Sequence, residues 1–485
     1  VVIIYVFATV WRALKPTTSM KRTAYQPLAN NSFSYSTETT NMSHVFPRHC
    51  HATLPTAVEG DGCYLIDADG KRYFDGSGGA AVSCLGHSNQ RVRDAIKAQV
   101  DKLAFAHTGF LTSEPAEELA DLLIAHAPGD LDRVYFVSGG SEAVESAIKL
   151  ARQFHLENGE PERRHLIARR KSYHGNTLGA LSAGGNAWRR QQFAPLLVEM
   201  SHIAPCYEYA EREEGESLEG YGQRTAQELE DEILRLGPET VMAFIAEPVV
   251  GATLGAVTAA PGYYVRIREI CDKYGVLLIL DEVMCGMGRT GHLFACDADG
   301  IAPDIMCIAK GLGAGYQPIG AMLCSKKIYD TIAAGTGFFQ HGHTYLGHPV
   351  AAAAALAVVS EILENDLIAQ VNKRGAFFEL QLRSRFAQNP HVGDIRGRGL
   401  FWGIELVADR QSKAPFDPKL GLAGKLKKAA FAEGLICYPM PGARDGQLGD
   451  HVLLAPPFIS SEDELDDAQN RLQIALEKAL SSAGE

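Results

Sequence analysis

The chain has 485 residues, 46% hydrophobic and 21% charged, enough to bury a large core and to divide into two or more lobes. A net charge of -12 weighs against nucleic-acid backbones and anionic membranes as partners. Ten cysteines lie far apart, with no C-x-x-C pair and no Cys/His set at zinc-ligand spacing, so they read as structural thiols of a reduced compartment and no metal site is expected.

The apolar run VVIIYVFATVW at 1–11 falls well short of the roughly 20 residues that span a bilayer. Arg12, Lys15, Lys21 and Arg22 follow this run instead of preceding it, which does not fit a secretory signal. Residues 1–37 hold no Asp or Glu and many Ser and Thr, a composition similar to that of a mitochondrial transit segment. The plainer reading makes 1–42 a disordered or targeting-like tail outside the functional domain. The location expected is cytoplasmic, with a mitochondrial one as the alternative.

Structure is expected from about Val45. CYLIDADGKRYFDGSGG (63–79) alternates around Asp69 and Gly70, the pattern of a hairpin with a tight turn. RVYFV (133–137) reads as a buried strand, Ser138 to Ser141 as punctuation, and Val144, Ala147, Ile148 and Ala151 as one helical face. RHLIARR, VMAFIAEP, VLLILDEV, DIMCIAK and GAMLCSK supply further short apolar runs. The acid-rich stretch YEYAEREEGESLEGYG (207–222) is expected to be a solvated loop. PGYYVRIREICDKYG (261–275) reads as a helix with Pro at its start and Gly at its end, and VAAAAALAVVSEILEN (350–365) as a long helix closing the region. The alternation predicts an α/β fold with a mostly parallel sheet covered on both faces, followed by a smaller lobe.

Two glycine stretches resemble nucleotide loops and fail the test of context. In ILDEVMCGMGRTG (279–291) the strand ends at Asp281, so the G-x-G-x-x-G begins five residues late, and no sustained amphipathic helix follows. GLGAG (311–315) lacks the G-K-[ST] ending of a phosphate-binding P-loop.

Ligands of open α/β sheets lie outside the carboxyl ends of the strands. Four such ends carry polar residues here: SGGSEA (138–143), Glu247-Pro248, Asp281-Glu282 and Lys310-Gly311. Lys310 sits between IMCIA and GLGAG, with little polar surface to solvate an ammonium, and burial frees a lysine as an amine nucleophile. Taken alone it reads equally as a helix-end or snorkelling lysine. Asp281 ends a fully apolar strand, so if buried its charge needs a cation, for which a protonated pyridine nitrogen would serve; a strand-end acid or a cap is the plain alternative. Gly140 and Ser141 stand where strand turns to helix, offering free N–H groups and a helix dipole to a phosphate, or simply an N-cap. An amine-forming lysine, a carboxylate for a pyridinium and a phosphate cradle together suit pyridoxal 5'-phosphate.

These residues lie in motifs that resemble the class III, or ω-amino-acid, aminotransferases of pyridoxal-phosphate (PLP) fold type I. The resemblance runs from about Phe46 to Ala475, through SGGSEA, YHGNTLGAL (173–181), AEPV (246–249), LILDEVMCGMGRTG (278–291), PDIMCIAKGLGAGYQPIG (303–320), GHTYLGHP (342–349) and LAPPF (454–458). It implies a large domain with a central, mostly parallel seven-stranded sheet over 95–366, and a smaller α+β domain assembled from 43–94 and 367–485. It also implies Lys310 as the Schiff-base lysine and proton shuttle, and Asp281 paired with the pyridine nitrogen. Val283 and Tyr173 would pack on the two ring faces, with His174 and Glu247 beside the cofactor. Gly140 and Ser141 would hold the phosphate, joined by Thr344 of a neighbouring subunit, so that a homodimer, or a tetramer, shares its active sites.

The activity implied is transfer of an amino group from a primary amine or ω-amino acid to a 2-oxo acid, with pyruvate the first choice. Racemisation or decarboxylation on the same fold, and an inert binding protein of this fold, are the rivals. Substrate choice rests on two departures. Ala81 falls about where several ω-amine transaminases resemble one another in carrying a tryptophan, which suggests room for a bulky amine. Many members also carry an arginine shortly before the APP motif to bind a carboxylate; in YPMPGARDGQLGDHVLLAPPF (438–458) Arg444 is the only candidate, and a solvated loop arginine is the competing reading.

Overall fold

The structure, a computed structural model, describes residues 43–482; the expectations for the tail at 1–42 lie outside the described residues. Residues 43–54, the described end of a first unit, hold no helix or strand, and a second unit begins at Pro55.

Seven strands of that second unit form one sheet in the order Leu131–Val137, Gly320–Ser325, Ile305–Ile308, Leu277–Asp281, Val241–Ala246, His165–Arg169 and Ser201–Ile203. Gly320–Ser325 runs antiparallel to both neighbours and the remaining strands are parallel to one another. Val241–Ala246, Leu277–Asp281 and Ile305–Ile308 are buried along their whole length, which is why they are unbroken apolar runs instead of alternating ones. Phe244, Leu278, Leu280 and Met306 face helices Glu114–Ala125, Leu218–Leu236, Tyr263–Tyr274 and Pro349–Glu364. Ala243, Ile245, Ile279 and Cys307 face Gly140–Glu157 and Lys326–Ala334.

Local chemistry sets the ends of these elements. Helix Tyr263–Tyr274 stops at Gly275, whose φ of 63° is the left-handed conformation that costs glycine least. Pro261 lies before the helix, which starts two residues later than its motif suggests. The acid-rich stretch 207–222 is solvated as expected, with residues 208–220 exposed or half-buried, but it holds a short helix and is anchored at its ends by two tyrosines. Tyr207 and Tyr221 are fully buried, the Tyr221 hydroxyl accepts the Tyr207 N–H at 2.7 Å, and the Tyr207 hydroxyl donates to Glu405 at 2.7 Å. Its acids remain on the outside of the short helix Glu208–Glu211 and the start of Leu218–Leu236.

Three smaller sheets are described in this unit, one of them only the two-stranded pair Val249–Val250 and Val257–Thr258. Ala57–Asp61, Tyr64–Asp67 and Arg72–Asp75 form the expected hairpin region and continue in parallel to Leu435–Ile436. Val392–Arg398, Phe401–Leu406, Asp450–Leu454 and Tyr438–Pro441 form the third, wholly antiparallel. Helices Leu367–Phe386, Leu422–Ala432 and Glu462–Ser481 pack over these last two in a separate core that includes Phe378, Trp402, Leu426 and Leu472. Among the described residues, nine cysteines are buried free thiols and Cys50 is exposed.

Candidate active site

The carboxyl ends of five strands open onto one cavity of about 450 Å³. Leu131–Val137 delivers Ser138 to Ser141, His165–Arg169 leads to Tyr173 and His174, and Val241–Ala246 ends at Glu247. Leu277–Asp281 brings Asp281, Val283 and Met284, and Ile305–Ile308 brings Lys310. Parallel strands with crossover helices necessarily place these far-apart sequence positions side by side.

Asp281 is buried with both carboxylate oxygens engaged. Oδ1 accepts the Val283 N–H at 3.0 Å, and Oδ2 lies 2.7 Å from His174 Nδ1. The other ring nitrogen of His174, Nε2, is shielded from solvent and has no protein partner among the described residues. Glu247 is fixed just as firmly. Its Oε1 accepts the Tyr173 N–H at 3.1 Å and its Oε2 the Gly251 N–H at 2.9 Å, while its carbonyl accepts from Arg169 at 2.6 Å and from the Tyr264 hydroxyl at 2.5 Å. Burial pushes the Glu247 carboxyl above its ordinary range.

Lys310 opens a single turn with a left-handed φ of 47°, a conformation that costs a residue with a side chain on the order of 1 kcal/mol. Burial pulls its ammonium below the ordinary lysine value, and the negative charges of Asp281 and Glu247 oppose that pull. The result is an amine that gives up its proton more readily than a surface lysine.

The start of helix Gly140–Glu157 is packed too tightly for any side chain at its first position. A Cβ on Gly140 would lie 2.8 Å from Val283 Cγ1. Gly175 has a φ of 135° and would place a Cβ 2.5 Å from Ser141 Oγ, so the loop carrying Tyr173 and His174 rests directly on the helix start. The Asn176 N–H donates to Ser141 Oγ at 3.1 Å. A phosphate would find backbone N–H groups, the Ser141 hydroxyl and the positive end of an 18-residue helix dipole there. The orphaned His174 nitrogen, the glycine-lined helix start, the paired acid and the low-pKa lysine fit pyridoxal phosphate in charge and in donor type.

Lys310, Asp281, Gly140, Ser141, Tyr173, His174, Glu247 and Val283 therefore share one cavity. Three other expected residues are elsewhere. Thr344 is exposed on a second cavity, beside His107, Tyr135 and His343. Ala81 does not line the first cavity: it is buried against Val249, Met284, Leu453 and Ala455, and its neighbour Val82 forms the wall instead. Arg444 donates to the Lys413 carbonyl and is absent from the lining, because the loop that carries it packs on the helix Ala187–Gln191. Two arginines went unnoticed in the sequence. Arg169 ends the strand His165–Arg169, a polar strand end like the four singled out, and Arg189 lies over the Tyr173 ring at 4.7 Å.

A large mixed sheet with a smaller domain and a lysine, an acid and a glycine-rich helix start at its strand ends define a transferase of PLP fold type I. The class-III aminotransferase family model matches residues 45–476. An aminotransferase of Schizosaccharomyces pombe is 46% identical over 433 residues, 88% of this chain and 93% of that protein. Among solved structures, an (S)-enantioselective ω-transaminase from Thermomicrobium roseum is 38% identical with a TM-score of 0.84, covering 91% of this chain and 97% of that one. The ω-transaminase from Pseudomonas jessenii in complex with PMP is 34% identical with a TM-score of 0.84, covering 90% and 97%. The chain belongs to the class-III aminotransferases. No helix among the described residues is long and apolar enough to cross a membrane.

Proposed function

We propose that this protein is a pyridoxal-phosphate-dependent aminotransferase that moves an amino group from a primary amine or ω-amino acid to a 2-oxo acid, with pyruvate the first acceptor to test. The observation that carries this reading is the meeting of Lys310, the Asp281–His174 pair and the Gly140–Ser141 helix start in one cavity. When bound, the cofactor supplies an electron sink for the bonds at the amine-bearing carbon.

Each residue has a role derived from its surroundings. Lys310 Nζ, held toward its neutral form by burial, serves as nucleophile and then as the base that takes up and returns a proton. Asp281 places a buried negative charge where a protonated ring nitrogen needs one, and His174 fixes that carboxylate's direction. Tyr173 and Val283 form opposing walls, and Gly140 and Ser141 bind the phosphate. Thr344, exposed on the second cavity, completes the phosphate site of a partner subunit in a homodimer. The division into a large domain at 95–366 and a small one from 43–94 and 367–485 is part of the same proposal.

The test is a half-reaction: the PLP-loaded protein is mixed with single amines and conversion of the cofactor to its amine form is followed by absorbance. Conversion, and its loss in Lys310→Ala, is the expected result. An Lys310→Ala variant that turns over would overturn the assignment, and release of carbon dioxide or loss of chirality without nitrogen exchange would favour the rival reactions.

A further inference from the structure

Several arginines lie near the cavity without forming its lining, and they differ in what they are free to do. Arg169 donates to the Glu247 carbonyl at 2.6 Å and Arg444 to the Lys413 carbonyl. Arg190 spends its guanidinium on the carbonyls of Leu181, Ser182 and Gly184, including bonds of 3.1 and 2.7 Å. Arg189, the adjacent residue, is different. Its guanidinium lies 4.7 Å from the centre of the Tyr173 ring and 6.0 Å from that of Trp188, its Nε is shielded from solvent without a partner, and it forms no ion pair among the described residues.

The backbone under Arg189 is pinned from two sides. Asn186 caps the short helix Ala187–Gln191 by accepting the Arg189 N–H at 3.1 Å. Gly446 of the loop that bears Arg444 packs so closely that a Cβ there would meet Trp188 N at 3.1 Å. A planar cation is thus held against Tyr173, the aromatic residue that lines the cavity, with hydrogen-bond donors to spare, although Arg189 itself is not part of the lining. A guanidinium in this state suits a carboxylate better than a lysine would, through paired N–H bonds and stacking. Its positive charge also acts on Lys310, opposing protonation of the amine. An anion arriving beside Arg189 relieves that opposition.

From this geometry we infer that Arg189 receives the carboxylate of the substrate, making amino acids and oxo acids, not plain alkylamines, the class this site takes. The inference rests on the aminotransferase reading above. It also supplies the anion-binding role expected of Arg444 from a different part of the chain.

The test pairs ω-amino acids of two to four methylenes with the alkylamines that replace their carboxylate by a methyl group, using the PLP-loaded enzyme and its Arg189→Ala and Arg189→Lys variants. Absorbance before mixing confirms that cofactor is bound, and half-reaction rates give kcat/KM for each donor. Wild type should favour the carboxylated member of at least one pair. Arg189→Ala should lower that preference about 10- to 100-fold, the range of one or two charge-assisted bonds, and Arg189→Lys should restore part of it. Equal losses for both members would make Arg189 a support for Tyr173 only and overturn the inference, as would no loss or a wild-type preference for alkylamines. A wild type that converts neither member sinks the aminotransferase reading, and this inference with it.

Discussion

Replacing Gly140 by alanine adds one methyl group at the start of helix Gly140–Glu157, where the closeness of Val283 decides the outcome. Gly140 is not among the residues with left-handed backbone, so the chain itself accepts alanine, and helix propensity favours it by at most about 1 kcal/mol. The new methyl would stand 2.8 Å from Val283 Cγ1 and 3.0 Å from Cγ2. That is about 1 Å inside an ordinary carbon–carbon contact, and overpacking of this kind costs about 1–3 kcal/mol. Val283 cannot turn aside freely, because its β-branched side chain is stiff and its N–H is bonded to Asp281 Oδ1 at 3.0 Å. The variant should therefore lose stability and loosen Asp281 with it. Val283→Ala in the same chain removes both colliding carbons, so the double variant should recover at least about 1 kcal/mol relative to the sum of the single changes. The four proteins are compared by urea unfolding midpoints and by absorbance titration with pyridoxal phosphate. Additivity within about 0.5 kcal/mol in both measurements would refute the packing argument.

Asp281→Asn keeps an acceptor for the Val283 N–H but removes the buried charge, and should retain some pyridoxal phosphate while losing about 10- to 100-fold or more in half-reaction rate; unchanged rates would remove Asp281 from its role. His451 is buried with Nε2 3.1 Å from the Ala252 carbonyl oxygen, and burial pushes its pKa down from 6.5 to about 3. Between those values the unfolded chain binds a proton that the folded one refuses, so this residue's contribution to stability is present above about pH 6.5 and is lost as pH falls toward 3. His451→Gln should accordingly lose less stability than wild type between pH 7 and about pH 4, measured as unfolding midpoints of the pyridoxal-phosphate-loaded proteins; parallel curves would dismiss the histidine as the cause. Lys310→Ala should abolish both the cofactor's visible band and turnover, read in one spectrophotometric experiment.

The sheet was legible because its central strands are buried on both faces, so VMAFIA, LLILD and IMCI had no polar alternation to hide them. The smaller lobe was harder to read from periodicity, since its sheets join distant segments, as Arg72–Asp75 does with Leu435–Ile436. Such pairings leave no local mark. In the stretch 207–222 the solvated middle was legible from its acids, but its anchors were not: Tyr207 and Tyr221 find their burial only against other parts of the chain.

At the site, the same division separates what was read from what was not. Lys310, Asp281, Glu247 and the glycines follow strands directly, so an apolar run ending in a polar residue marked each of them. Arg189 follows no strand of the large sheet; it sits in a five-residue helix, reached after Tyr173 by 16 positions of loop and short helix. Neither spacing nor composition distinguishes it from Arg190 beside it, and only the fold does so, by giving one guanidinium three carbonyls and the other an aromatic ring. The glycines of ILDEVMCGMGRTG illustrate the converse. They carry a conspicuous pattern, yet Met287, Gly288 and Gly291 form left-handed turns that let Arg289 bond the carbonyls of Leu400 and Pro456. That loop fastens the end of the Asp281 strand to the C-terminal part of the chain, so its glycines serve the acid's position and not a nucleotide.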